Sequence, residues 1–346
     1  DTNAVLAGAL VASKLHIAVG HVEAGLRSFD ITMPEELNRM AADACSLMYF
    51  IPTEESAINL LAEGISRKKL FITGNTVVDA CFRHLEIANK AGIQEESLAN
   101  LDIENMDNIL TLTMHRAENV DDKERLINII SSLKELKDMN IIFPIHPRTK
   151  KTLENFNLFD ELNELDNVHI IKPLGYLDFL ILTSHSTLIL TDSGGLQEEA
   201  ITLDVPVLTL RYNTERPETV SAGGNILVGA NKNNILENAE KILNDEEFAN
   251  KMKNAKNPYG KGDAAIKTID AIEEAYNNGL LDIKAPENIM SSFDRKMIKI
   301  NEDVSVKEFE ENENALVHMV FDGEKMIFPL NNLNLKGMMI TYDVYQ

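Results

Sequence analysis

The chain has 346 residues, 44% of them hydrophobic, enough for a real core in one large or two ordinary domains; no run of 18 apolar residues and no signal-peptide pattern is found, so neither a transmembrane helix nor a secretory leader is expected. Two cysteines, Cys45 and Cys81, are too few for a disulfide framework, and no CxxC or His/Cys cluster suggests a structural metal, so a reducing cytoplasm and no metal are expected. A formal net charge of −22 repels nucleic acid and anionic membranes, which excludes both as expected partners and requires any phosphate site to be built locally from amides, Arg and His.

The chain opens on "DTNAVLAGALVASKLHIAV", without a Met. This reads as a helix already under way after a strand, so an N-terminal part ahead of it is expected. "LHIAVGHVE" (15–23) reads as a strand, and Pro34 suits the first turn of the helix that follows. "LMYFIP" (47–52) and "KLFIT" (69–73) are further strands. A polar stretch, "NKAGIQEESLANLDIENMDN" (89–108), then reads as the link between two domains. Beyond it come strands "ILTLTMH" (109–115), "NIIFPIH" (140–146), "NVHIIKP" (167–173), "STLILTDS" (186–193) and "VPVLTLR" (205–211), with amphipathic helices such as "DKERLINIISSLKEL" (122–136) between them. Continuous apolar strands alternating with helices predict α/β architecture, with doubly wound parallel sheets covered on both faces. A helix over 262–279 follows, and beyond about residue 284 "KMIKINEDVSV", "ALVHMVFDG" and "GMMITYDVY" read as β hairpins. The expected division is an incomplete first domain (1–100), a second domain (101–258), a helix returning to the first (259–283) and a β-rich tail (284–346).

In open α/β sheets, ligands bind beyond the carboxyl ends of the strands, and the polar clusters fall there. In "TDSGGLQEEA" (191–200) a strand ends at Asp192, two glycines follow and a helix begins. The amides of Ser193, Gly194 and Gly195 are expected to point outward at that helix start, a ready anion site. Glu199, a turn inside, is placed to accept from a ribose diol. The plain alternative is an ordinary cap by Ser193. "TMHRAENV" (113–120) offers His115 and Arg116 to the same phosphates, and "IHPRT" (145–149) repeats the theme with His146 and Arg148. "YNTERPE" (212–218) supplies Arg216, whose Glu-Arg pair reads equally as a surface salt bridge of little energetic value. Earlier, "GHVEAGLRSFDITMPEELNR" (20–39) packs Glu23, Asp30, Glu35 and Glu36 around a His, two Arg and Pro34. Glu35 and Glu36 lie in a first helical turn, where acids also simply favour the helix dipole.

Taken together, "DTNAVLAG", "GHVEAGLRS", "MPEELNR", "GNTVVDA", "HRAENV", "HPRT", "GYLDFL", "DSGGLQEEA", "PVLTLR", "TERPE" and "GGN" resemble the non-hydrolysing UDP-N-acetylglucosamine 2-epimerases, in family order from residue 1 to about 280. The resemblance implies two Rossmann-like domains in the GT-B arrangement. It implies interconversion of UDP-GlcNAc and UDP-ManNAc without a cofactor, and a homodimer when full length. It places the family's acid/base carboxylates on Asp1, Glu23 and Glu35, and its nucleotide-binding groups on His115, Arg116, Ser193, Gly194, Gly195 and Glu199. The family's opening strands and glycine-rich basic turn have no match in this sequence, nor does the stretch after about residue 284 have a counterpart in the family.

The implied chemistry explains the density of acids. Inverting C2 means removing a proton from one face and returning one to the other, while UDP is eliminated across C1–C2 and added back through 2-acetamidoglucal. Closely spaced carboxylates raise one another's pKa, which keeps an acid available. His115 counts with the catalytic groups because it and Arg116 stabilise the departing UDP. Three other readings stand beside this one: a hydrolysing 2-epimerase releasing free ManNAc and UDP, a GT-B glycosyltransferase needing an acceptor, and an inactive UDP-sugar-binding remnant.

Overall fold

The computed structural model describes residues 1–282 and, beyond them, the backbone of four strands within 295–345. In chain order it has α1 (Asn3–Lys14), β1 (Gly20–Val22), α2 (Pro34–Ala44), β2 (Met48–Ile51), α3 (Glu54–Ala62), β3 (Leu70–Ile72), α4 (Thr76–Ala91), α5 (Glu96–Ala99), β4 (Ile109–Thr113), α6 (Ala117–Val120) and α7 (Lys123–Leu133). It continues through β5 (Asn140–Pro144), α8 (Pro147–Asn155), α9 (Phe159–Asn163), β6 (Val168–Ile171), α10 (Tyr176–His185), β7 (Leu188–Thr191), α11 (Gly194–Thr202), β8 (Val207–Thr209), α12 (Pro217–Ser221), β9 (Asn225–Leu227), α13 (Lys232–Asn244), α14 (Glu246–Lys253) and α15 (Ala264–Asn277). Strands β10 (Arg295–Ile298), β11 (Ala315–Phe321), β12 (Glu324–Pro329) and β13 (Thr341–Tyr345) form an antiparallel sheet in the order β10-β13-β11-β12. Of the hairpins expected in the tail, β11–β12 is described; residues 299–306 and 337–340 lie outside the described residues.

The α/β class with parallel sheets is the one found. The chain divides into two compact units, Thr76–Asp263 and the remainder on either side of it. The division falls ahead of α4, before the polar stretch 89–108, because α4 packs on α10 and α11.

In the first unit β1, β2 and β3 form a parallel sheet in that order. All four residues of β2 are buried. Alternation along the strand sends Tyr49 and Ile51 to one face, against Ala24 and Leu60, and Met48 and Phe50 to the other, against Ala271 and Ala275 of α15. That second apolar face is why a helix from residues 264–277 belongs to this unit. The strand expected over 15–23 is shorter than its apolar run: after α1 the chain turns through His16 at φ +58°, and only Gly20–Val22 pair.

The second unit holds a six-stranded parallel sheet in the order β6-β5-β4-β7-β8-β9, the order of the dinucleotide-binding α/β fold. Leu110 and Leu112 of β4 and Leu188 and Leu190 of β7 join the main core with Phe143 and Leu208. The intervening Ile109 and Ile189 face the other side, among Leu98, Leu182, Leu196 and Val207. Both faces are covered, as the continuous apolar runs require. Asp122 caps α7 by accepting from the amides of Glu124 (2.9 Å) and Arg125 (3.1 Å).

The turn out of β1 depends on one glycine. Gly25 sits at φ +79°, and an added Cβ would lie 2.3 Å from the Ser56 carbonyl oxygen and 2.9 Å from Leu60 Cγ. Gly25→Ala is therefore expected to destabilise the protein by about 2 kcal/mol or more. Urea denaturation checks this, and a parental midpoint contradicts the close approach.

Candidate active site

The sheet order of the second unit makes β4 and β7 neighbours from which the chain winds in opposite directions. The carboxyl ends of such a pair form the switch point of an open α/β sheet. The Thr113 and Thr191 hydroxyls meet there at 2.6 Å. Asp192, the next residue after β7, is wholly buried and turns its carboxylate onto the loop after β4. It accepts from the backbone amides of His115 (3.0 and 3.1 Å) and Arg116 (2.9 Å), and His115 Nδ1 lies 3.1 Å away. Burial alone would raise this carboxyl; the His115 side chain and the Arg116 and His115 amides outweigh burial and hold it below its ordinary value.

On the other side of the switch point α11 begins. Of the three amides expected to point outward, that of Ser193 is already taken, donating to Thr191 Oγ1 at 2.9 Å. The Ser193 side chain makes no capping bond, so the plain capping role is not what the structure contains. The amides of Gly194 and Gly195 are the first two of α11, positions without intrahelical partners. Gly194 carries the tightest constraint: a Cβ there would lie 2.2 Å from Glu215 Oε1.

Glu215 is buried between arginines. It accepts from Arg211 Nη1 at 2.6 Å and lies 3.5 Å from Arg116 Nη2. Burial opposes its ionisation, but Arg211 and Arg216 prevail and lower its pKa to about 2. Arg216 does not form a surface pair with its sequence neighbour. Its Nε lies 2.6 Å from Glu198 Oε1, and both side chains are buried. Arg116 Nε is buried with no hydrogen-bond partner among the described residues. That guanidinium and the first two amides of α11 leave hydrogen-bond donors at this end of the sheet, within a chain of net charge −22. In "IHPRT", His146 accepts from the Arg148 amide at 3.2 Å, and the Arg148 side chain pairs with exposed Asp121 at 2.7 Å. The structure thus gives these two a cap and a surface ion pair.

The acid-rich loop of the first unit separates into framework and remainder. Asp43 is buried and binds His21 Nδ1 (2.6 Å), Arg27 Nη2 (2.7 Å) and the Gly25 amide (3.2 Å). Glu36 is buried and accepts from the amides of Ser28 and Phe29, each at 3.0 Å, and from Arg39 Nη2 at 2.8 Å. Burial would raise the Glu36 carboxyl, but the Ser28 amide, Arg39 and the Phe29 amide together lower it. Asp30 accepts from the Thr32 amide and hydroxyl at 2.9 and 2.6 Å, closing a local turn. Glu23 and Glu35 remain. Glu23 is half-buried at φ +63°, a conformation rare outside glycine, and its Oε1 accepts from Asn75 Nδ2 at 2.9 Å. Glu35 is half-buried and makes no side-chain hydrogen bond or ion pair among the described residues. Asp1 is tied to α2, its Oδ2 lying 3.0 Å from Arg39 Nη1.

The profile of the UDP-N-acetylglucosamine 2-epimerase family matches residues 1–273. A UDP-N-acetylglucosamine 2-epimerase from Methanocaldococcus jannaschii is 53% identical over 272 residues, which cover 78% of this chain and 72% of that protein. The chain belongs to the UDP-N-acetylglucosamine 2-epimerase family. A second relative of that name, from Methanococcus maripaludis, is 49% identical over 275 residues, 79% of this chain and 73% of that protein. The crystal structure of the Methanocaldococcus jannaschii UDP-GlcNAc 2-epimerase in complex with UDP-GlcNAc and UDP superposes with a TM-score of 0.69 at 52% identity, covering 79% of this chain and 74% of that one.

Among the residues singled out by likeness to the 2-epimerases, His115, Arg116, Ser193, Gly194 and Gly195 meet at the carboxyl end of the second unit's sheet, with Glu199 further along α11. Asp1, Glu23 and Glu35 belong to the first unit. Sequence reasoning missed Asp192, Glu215 and Asn75, which hold those groups in place. Asp192 and Asn75 stand inside the family motifs, at the ends of apolar runs, and that position is their only signal.

Glu215 carries a pH test. Its folded pKa of about 2 lies below the ordinary 4.5, so its stabilising contribution is full above pH 4.5 and lost as pH falls toward 2. At about 1.4 kcal/mol per tenfold change in proton affinity the contribution is roughly 3 kcal/mol. Glu215→Gln should therefore unfold more easily than the parent at pH 7, with the gap closing between pH 4.5 and 2. An equal gap in denaturant titrations at both pH extremes contradicts this.

Proposed function

We propose that this chain interconverts UDP-N-acetylglucosamine and UDP-N-acetylmannosamine by inverting C2. In this reading the second unit holds UDP. His115, Arg116, the Ser193 hydroxyl and the amides of Gly194 and Gly195 take the diphosphate, and Glu199 accepts from the ribose hydroxyls. Asp1, Glu23 and Glu35 of the first unit share the proton transfers at C2 and the contacts to the sugar. A carboxylate takes the C2 proton, the C–H electron pair becomes the C1–C2 double bond, and the C1–O pair leaves with UDP. The return adds a proton at the opposite face of C2 as the UDP oxygen rebonds C1. Atoms and charge balance without any redox step, so no nicotinamide enters. Arg116 and the helix amides stabilise charge on the departing diphosphate. Retaining UDP beside the glucal makes re-addition effectively intramolecular. As part of the same reading, the full-length enzyme is a homodimer working in the cytoplasm.

The observation that carries this reading is the anion-accepting end of the β4–β7 pair, formed by the motifs that match the family. The test follows solvent deuterium into C2 of UDP-GlcNAc by NMR in the full-length protein. Exchange with a stable mixture of both UDP-sugars is expected. No exchange sinks the proposal, and free UDP rising in step with free sugar identifies hydrolysis instead. Glu23→Gln and Glu35→Gln should slow exchange by roughly 10²–10⁴-fold with UDP affinity nearly intact; parental rates in both leave these carboxylates structural. Ser193→Ala and Glu199→Ala should each weaken UDP binding by about tenfold, the worth of a hydrogen bond involving a charged group. Calorimetry showing parental affinity in both removes the nucleotide assignment.

A further inference from the structure

Behind the first turn of α11 lies a buried network of neutral polar groups. Gln197 of α11, Thr209 at the end of β8 and Thr219 of α12 are wholly buried, and Asn225 at the start of β9 is nearly so. Gln197 Oε1 accepts from the Thr214 hydroxyl at 2.8 Å and from Asn225 Nδ2 at 2.9 Å, while Gln197 Nε2 donates to the Ser193 carbonyl at 3.2 Å. Asn225 Oδ1 accepts from the Thr209 hydroxyl at 2.7 Å, and Asn225 Nδ2 also donates to the Thr219 hydroxyl at 3.1 Å. Both backbone groups of Arg216 are held by the same network: its amide donates to Thr214 Oγ1 at 3.0 Å, and its carbonyl accepts from the Thr219 hydroxyl at 2.8 Å.

One atom dictates the direction of these bonds. A carbonyl oxygen can only accept, so the Ser193 carbonyl turns Nε2 of Gln197 toward itself. That leaves the Gln197 oxygen for Thr214 and Asn225, which sets the Asn225 amide nitrogen toward Gln197 and its oxygen toward Thr209. Reversing Gln197 would set its oxygen against the Ser193 carbonyl oxygen, so the network has a single arrangement. It ties the loop 211–216 to the residue from which α11 starts. That loop carries Glu215, which lies against Gly194 and 3.5 Å from Arg116 Nη2. A carboxylate beside a helix N-terminus is a rival to any anion arriving there. We propose that Gln197 is a positioning residue for diphosphate recognition: it fixes the 211–216 loop to the start of α11, so that Glu215 stays on Arg211 and the Gly194 and Gly195 amides stay open to the diphosphate. This rests on the nucleotide reading given above and adds to it the buried group that keeps the site open.

The experiment is calorimetry of the full-length parent, Gln197→Met, Thr214→Val and the double variant, each with UDP and with uridine, and with Arg116→Ala as a reference. Met is close to Gln in length and Val to Thr in shape, and neither makes the bond. Each single variant is expected to lose about tenfold in UDP affinity with uridine binding unchanged, and the double variant to lose no more than Gln197→Met alone, because both changes remove one shared contact. Thr214→Val, at a half-buried position, carries the comparison where Gln197→Met does not fold. A parental preference for UDP over uridine in the single variants overturns the inference. So do equal losses for both ligands, which mark a merely structural role, and additive losses in the double variant, which mark separate contacts. If Arg116→Ala keeps the parental preference for UDP over uridine, the diphosphate reading itself fails, whatever Gln197 does.

Discussion

Everything at the second unit's candidate site hangs on one buried carboxylate. Two parallel strands that end side by side release their chains in opposite directions, and nothing in the sheet ladder fixes the path of either loop. Asp192 supplies the missing constraint. A single side chain after β7 takes the amides that begin the loop after β4, so the two loops are set as one piece. Hydrogen bonds to an ionised acceptor in a dry environment are strong, and leaving such a group unpaired is costly. Both considerations select one geometry for His115 and Arg116. The first unit repeats the device with Asp43, which gathers His21, Arg27 and the Gly25 amide. In each unit a buried acid orders a loop whose exposed groups are then available for chemistry.

The electrostatics follow the same division. In a chain of net charge −22, cationic groups and free helix amides at the end of the second unit's sheet stand out by concentration rather than by total charge. Arg211 and Arg216 pair with Glu215 and Glu198 in a buried network that reaches α11 through Glu198 and Gly194. Arg116 keeps donor capacity in hand, at the edge of that network.

The sheet was legible because its central strands are continuous apolar runs, and α7 because Asp122 precedes a clean helical period. Other features were not, for reasons of range. The run over 15–23 is apolar for most of its length, yet pairing is confined to Gly20–Val22 because α1 ends through His16 at φ +58°. β9 is three residues long and begins with Asn225, too short to show a period. Which unit claims α4 is decided by its packing on α10 and α11, helices far along the chain from it. The candidate site shows the same limit. Glu35 and Glu36 are adjacent and chemically alike, but one step around a helix turns a side chain by about 100°. Glu36 is thereby buried against the Ser28 and Phe29 amides while Glu35 stays half-buried. Motifs pointed to the neighbourhood; the division of labour within it was settled by tertiary packing.

The contact between Gly194 and Glu215 also bears on how such a sequence can drift. A side chain at 194 meets the carboxylate at 215, and shortening 215 removes the 2.6 Å pair with Arg211, leaving Arg211 only Glu118 at 3.4 Å. Neither position can change first without loss. The two are therefore locked as a pair, although they stand on different elements of the chain. Neutral wandering is closed to them, and any lineage that departs from glycine at 194 must carry a compensating history at 215 and 211.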